Sequence, residues 1–126
     1  MLGVLREVQL SHLVENLAEG LNTEIGEKGT CLSGGEKQRL ALARLWFEDS
    51  ELVILDEATS AMDNLTEENV MKSVMQKMKN KTVIAIAHRL NSIVGFDRIF
   101  SLKKGGLLDK VLLKNYYIQI LILWTC

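Results

Sequence analysis

Two apolar runs, Leu52-Val53-Ile54-Leu55 and Thr82-Val83-Ile84-Ala85-Ile86-Ala87, limit the possible folds more than any other feature of this chain. Each is short and uninterrupted, the pattern of a strand buried on both faces. Between them the spacing predicts a helix over Leu65 to Lys79, with Val70, Val74 and Met78 on one stripe. Thr66, Glu67 and Glu68 sit in its first turn and Lys72, Lys77 and Lys79 later, which complements the helix macrodipole. Strand–helix–strand implies a right-handed crossover and parallel strands. Parallel strands finish at the same sheet edge, so Asp56, Glu57 and His88 are expected at the crevice where open α/β sheets bind ligands.

The flanking segments are read in the same way. Met1 to Leu21 is expected to be helical, with Leu2, Leu5, Leu10, Leu13, Val14 and Leu17 at helix-like spacing, Ser11 capping a second helix and Gly20 ending it. Asn22 to Cys31, with Gly26 and Gly29, reads as a loop. Ser33-Gly34-Gly35-Glu36 has capping-box spacing and opens a helix to about Phe47, with Leu40, Ala43 and Phe47 on one face. Arg98 to Leu102 reads as a strand and Lys103 to Gly106 as a turn. Val111 to Trp124 is mostly apolar with neither clean period, and the uncharged window Ile118–Trp124 is an aggregation liability.

Composition removes several function classes. With Lys+Arg 15 against Asp+Glu 16, the net charge of −1 supplies no basic field for nucleic-acid phosphates. Two cysteines, Cys31 and Cys126, make no disulfide framework and lie at no metal-ligand spacing, which suits a reducing, cytoplasmic setting. Arg6, Glu7 and Glu15 exclude a secretory signal at the N-terminus. No apolar run reaches the roughly 18 residues of a membrane span.

Three strings carry chemistry. In Leu32–Arg39, Ser33 offers a hydroxyl, while Gly34 and Gly35 let backbone N–H groups approach an anion at a positive helix end. In a nucleotide hydrolase, an acid pair such as Asp56-Glu57 would divide its work. The first acid holds Mg²⁺ through water and the second polarises the attacking water. Singly, these features amount to a capped helix, an acidic strand end and a strand-end histidine. In order and spacing, LSGGEKQR, LVILDEATSAMD and AHRL strongly resemble the nucleotide-binding domain of ABC transporters, from about Asn22 to about Gly105.

The resemblance implies an α/β fold: a partial P-loop NTPase, RecA-like parallel sheet with part of the ABC helical subdomain. Residues 1–48 would belong to that subdomain, 49–105 to the ATPase core, and 106–126 to an atypical apolar tail that departs from the family pattern. The resemblance makes ATP and Mg²⁺ the expected cofactors. It places Ser33, Gly34, Gly35, Glu36 and Gln38 in the signature that meets ATP across a head-to-tail dimer with a second ABC ATPase subunit. Asp56 matches the Mg²⁺-associated acid, Glu57 the catalytic glutamate and His88 the switch histidine. Ser60, Ala61 and Asp63 match the D-loop, with Met62 in place of the usual Leu. TEIGEKG and DEATSA resemble exporter wording, and Glu24 would then meet the coupling helices of a transmembrane domain. The expected location is the cytoplasmic face of a membrane.

No GxxxxGK[ST] occurs among the 126 residues, so the main phosphate cradle is missing from this sequence and hydrolysis by the chain alone is not expected. A non-catalytic module that docks on an intact ABC ATPase is the alternative. ATPase heads of chromosome-maintenance and break-repair proteins share the motif logic, but no heptad region appears here.

Overall fold

The protein structure, a computed structural model, describes residues 1–26, 29–87, 96–103, 106–112 and 119–124. The chain opens with two short helices, α1 (Leu2–Glu7) and α2 (Ser11–Glu15). Gln9, at φ 56°, breaks them apart, and Leu10 behind it is almost fully buried. Ser11 is the first residue of α2 and not its cap; the capping position falls to Leu10, whose side chain makes no capping bond. Anchoring Leu10 in the core decides the break here, where the spacing suggested a hydroxyl cap. Gly20 does not close a helix but opens a 3-10 turn, Gly20–Asn22.

Helix α3 (Gly34–Ala43) starts where expected. The Ser33 hydroxyl oxygen accepts from the Glu36 N–H at 3.3 Å, and Glu36 Oε2 accepts from the Ser33 N–H at 2.7 Å. Contacts from the Ser33 side chain, and next its backbone N–H, hold the Glu36 carboxyl below its usual range. A depressed carboxylate stabilises the fold above its unfolded pKa, and that contribution fades as pH falls through the folded value. Ser33→Ala should therefore cost about 1 kcal/mol near neutral pH, with a smaller loss below about pH 4. Urea melts at both pH values, with an NMR titration of Glu36 moving back toward the ordinary value, check this.

The helix ends earlier than its sequence period suggested, tightening into a 3-10 turn at Arg44–Trp46. Three residues per turn rotate the following side chains off the helical face. Phe47 is therefore 62% exposed, while Leu42 and Ala43 are buried.

The sheet order is β1-β2-β5-β3-β4, formed by β1 (Leu52–Asp56), β2 (Thr82–Ala87), β3 (Arg98–Lys103), β4 (Gly106–Leu112) and β5 (Gln119–Trp124). β1 and β2 are parallel, with Leu55 opposite Ala85 and Asp56 opposite Ile86. β5 runs parallel to both β2 and β3, and β3 pairs antiparallel with β4. Residues 106–126 thus supply two strands, and the stretch without a clean period holds the second of them. β5 is hydrogen-bonded on both edges, which suits its continuous apolar run.

Helix α4 (Asn64–Lys77) begins at Asp63, whose side chain accepts from the Thr66 N–H at 3.0 Å. That bond holds the Asp63 carboxyl below its usual range. Val70, Val74 and Met78 form the expected stripe and are buried against Val53, Leu55, Val83 and Ala85. A second core, of Leu5, Val8, Leu10 and Ala43, lies under α1 and α3, and Trp46 packs against both cores.

The expectation of strands buried on both faces is corrected for β1. Val53 and Leu55 are buried, but Leu52 is 50% and Ile54 61% exposed. β1 lies at the sheet edge, and only its α4 face is covered among the described residues. An apolar run records that a strand can be buried twice, not that a second layer is present.

Candidate functional site

β1 delivers Asp56 to the carboxyl edge of the sheet, and both Asp56 and Glu57 are exposed there. The ladder continues one residue further, since the Glu57 N–H donates to the Ile86 carbonyl at 3.1 Å. Glu57 then turns sharply at φ 45°, the left-handed region that costs an ordinary residue energy. The turn closes with the Ser60 N–H on the Glu57 carbonyl at 3.1 Å and the Met62 N–H on the Thr59 carbonyl at 3.0 Å. Beneath it, the buried Thr59 hydroxyl donates to Glu67 Oε1 at 2.7 Å and ties the turn to the first turn of α4.

The start of α3 stands directly against this turn. A Cβ on Gly35 would lie 2.9 Å from the Ala61 carbonyl oxygen, and one on Gly34 would lie 3.2 Å from Ala61 Cβ. Gly35 is therefore required by a close approach between two segments of this same chain, and Gly34 sits in a tight contact beside it, whatever else they bind. Gly35→Ala should cost about 1–2 kcal/mol, because overpacking against backbone outweighs the helix-propensity gain. Gly3, helical and with open space around it, is the control: Gly3→Ala should be neutral or stabilising by urea melt.

Gln38 completes the link, donating to the Glu57 carbonyl and the Ser60 hydroxyl and accepting from the Ala61 N–H. Ser33, Gly34, Gly35, Gln38, Asp56, Glu57, Ser60 and Ala61 thus belong to one packed region. A cleft of about 350 Å³ lies beside it, lined by α3 residues Gln38, Ala41 and Leu42 and by β1 residues Ile54 to Asp56 with Glu57. Glu36 is engaged with Ser33, and the capping box leaves the N–H groups of Gly34 and Gly35 unused by it.

Three expected positions remain. Asp63 caps α4, a structural duty that its spacing to Thr66 could have signalled. Glu24 is exposed on a loop pinned by the Thr30 N–H on the Glu24 carbonyl at 3.0 Å. His88 lies outside the described residues. Sequence reasoning missed the Gln38 bridge and the Thr59–Glu67 pair; the bridge joins residues 19 to 23 positions apart, which no local pattern reveals.

Comparison with known proteins bears on family and fold. Residues 5–60 match the family model described as ABC transporter. The mitochondrial iron-sulfur clusters transporter ATM1 of Yarrowia lipolytica is 48% identical over 98 residues, which are 78% of this chain and 14% of that protein. The ATP-dependent lipid A-core flippase of Vibrio cholerae is 43% identical over 105 residues, 83% of this chain and 18% of that protein. A multidrug resistance ABC transporter ATP-binding and permease protein of Lactococcus lactis is 46% identical over 92 residues, 73% of this chain and 16% of that protein. The chain spans less than a fifth of the length of these relatives. A solved bacterial Atm1-family ABC exporter with ATP bound superposes with a TM-score of 0.76 at 36% identity, covering 86% of this chain and 19% of that one. By motif order, sequence identity and fold together, the chain belongs to the ABC transporter family.

Proposed function

We propose that this chain supplies part of the nucleotide-binding domain of an ABC-type exporter: the signature helix, the acid pair and the D-loop of an ATP-hydrolysing assembly. The observation that carries it is the single packed unit made by the start of α3 and the turn after β1. That unit presents a helix N-terminus with two glycines beside a strand-end carboxylate pair. Residues 1–48 act as signature-bearing helical part, 49–105 as part of the core, and 106–126 as a tail that adds strands.

The residues fit ATP as one half of a shared site. Ser33 and Gly35, with Gly34 shaping the loop, meet the terminal phosphate of ATP held by an opposed subunit, and Glu36 and Gln38 support that helix end. The main phosphate cradle comes from residues other than these 126. For Mg²⁺, Asp56 is a single carboxylate, and the described residues contain no group of three or more His, Cys, Asp or Glu placed to hold a metal. That donor set suits Mg²⁺, which keeps its waters and binds through one or two carboxylates together with substrate phosphates. Bound there, Mg²⁺ neutralises charge on the phosphates.

Glu57 orients and deprotonates the attacking water. His88 completes the phosphate contacts. Ser60, Ala61 and Asp63 form the D-loop that links the paired sites, and Glu24 faces the coupling helices of a transmembrane domain. The working location is the cytoplasmic face of a membrane; no helix of the described residues is long and apolar enough to cross one.

A second reading is that the chain docks on an intact ATPase domain without hydrolysing ATP itself, offering the start of α3 held against the turn after β1 as its docking surface. One experiment tests both: a pull-down of this chain with a cradle-bearing ABC exporter ATPase domain, with and without ATP, paired with phosphate-release measurements. Association that needs ATP and vanishes with Ser33→Arg supports the shared site, and phosphate release above that of the partner alone makes it catalytic. Nucleotide-independent association, or none, refutes both readings.

A further inference from the structure

The side chain of Gln38 is matched to one turn of a distant segment. Its Nε2 donates to the Glu57 carbonyl at 3.1 Å and to Ser60 Oγ at 2.9 Å, and its Oε1 accepts from the Ala61 N–H at 2.9 Å. A carboxamide offers two N–H donors and a carbonyl acceptor, and here each kind finds its complement. Glutamate at this position would keep the acceptor and lose both donors. Asparagine would fall a methylene short, and methionine would fill the space with no polar group.

The turn that Gln38 grips sets where Glu57 points. The Glu57 N–H is held by the Ile86 carbonyl of β2, and the Glu57 carbonyl by the Ser60 N–H within the turn and by Gln38 of α3 from outside it. Holding the peptide groups on both sides of one Cα fixes φ and ψ there, and with them the direction of the Cα–Cβ bond. That φ is 45°, a conformation a glutamate keeps only where its surroundings over-determine it. Gln38 sits one helical turn beyond the Ser33–Gly35 end of α3, so the residue that holds Glu57 rides on the signature helix of the same chain.

We infer that Gln38 is a positioning residue for Glu57: its side-chain amide locks the 57–61 turn in register with the start of α3, so that a shift of the signature helix moves the Glu57 backbone with it. The catalytic consequence rests on the function proposed above; the lock itself does not.

The test compares the full-length chain with Gln38→Met and Gln38→Glu by NMR and amide hydrogen exchange. In Gln38→Met, protection of the Ala61 amide should fall by about tenfold, the loss of one hydrogen bond, while Gln38→Glu should stay near wild type at that amide. Both variants lose the donor to the Glu57 carbonyl, so in both the Glu57 Cα and Cβ shifts should leave their left-handed values. Val70 and Val74 amides in α4 should not change. In the partner-completed assembly, both variants should lower kcat by a larger factor than they raise KM for ATP.

A space-filling role for Gln38 would be met by methionine, so unchanged Ala61 protection in Gln38→Met overturns the inference. Unmoved Glu57 shifts, or protection lost equally across α4, overturn it too. Failure of every partner to support hydrolysis would remove the proposed function, while the exchange and shift pattern would still decide the role of Gln38.

Discussion

In an assembly that completes the phosphate cradle, Glu57→Gln should lower ATP hydrolysis by about 10²–10⁴-fold, the range for removing a general base, while ATP-dependent association persists. The Glu57 side chain is exposed, and the bonds that hold its turn are made by its backbone. Glutamine is isosteric and cannot accept a proton from water, so chemistry should be lost without loss of the fold. Phosphate release and pull-down on the same preparation separate the two effects. Unchanged hydrolysis would place the base elsewhere. Loss of ATP-dependent association together with hydrolysis would make the residue structural.

Met78→Ala should destabilise the chain by about 2–5 kcal/mol, the cost of lost transfer free energy plus a partly unfilled cavity. Met78 is 1% exposed at the end of α4, in the core shared with Val74 and the two strands. Its backbone N–H also closes α4 on the Val74 carbonyl at 2.9 Å, a bond that alanine keeps, so the loss reports packing alone. Leu65, at the other end of the same helix, is 69% exposed, and Leu65→Ala should change stability by less than about 0.5 kcal/mol. Urea denaturation of the two variants checks the contrast, and similar midpoints would mean that the α4 stripe does not bear on the sheet as described.

Much of the site was legible because its determinants are local. The capping box of Ser33 and Glu36 spans four residues, and the strand that ends in Asp56 spans five, with Glu57 next after it. Such patterns act through neighbouring backbone groups and need no knowledge of the rest of the fold. The α4 stripe was legible for the same reason, since helical geometry alone brings Val70, Val74 and Met78 together.

What was not legible depends on residues far apart in sequence. The glycines of the signature string read as anion-binding, and their approach to Ala61 appears only when the turn after β1 folds back on α3. Gln38 read as one more signature residue, and its three bonds reach 19 to 23 positions along the chain. The tail from Val111 shows no clean period, because a strand paired on both edges needs no alternation; β5 found its place between β2 and β3 through inter-strand hydrogen bonds.

The sequence by itself therefore determined the local units of this protein: a capped helix behind two glycines, an apolar strand ending in two acids, and an amphipathic helix leading to a second strand. Propensity, capping and periodicity act over a few residues and fix these units, while the family was legible from the resemblance carried by LSGGEKQR, LVILDEATSAMD and AHRL in order. Only the tertiary structure decided which strand lies between β2 and β3, that β1 keeps one apolar face open, and that α3 holds the Glu57 turn through Gln38. Each of those depends on which surfaces meet, and a contact between distant segments is set by the packing of the whole chain.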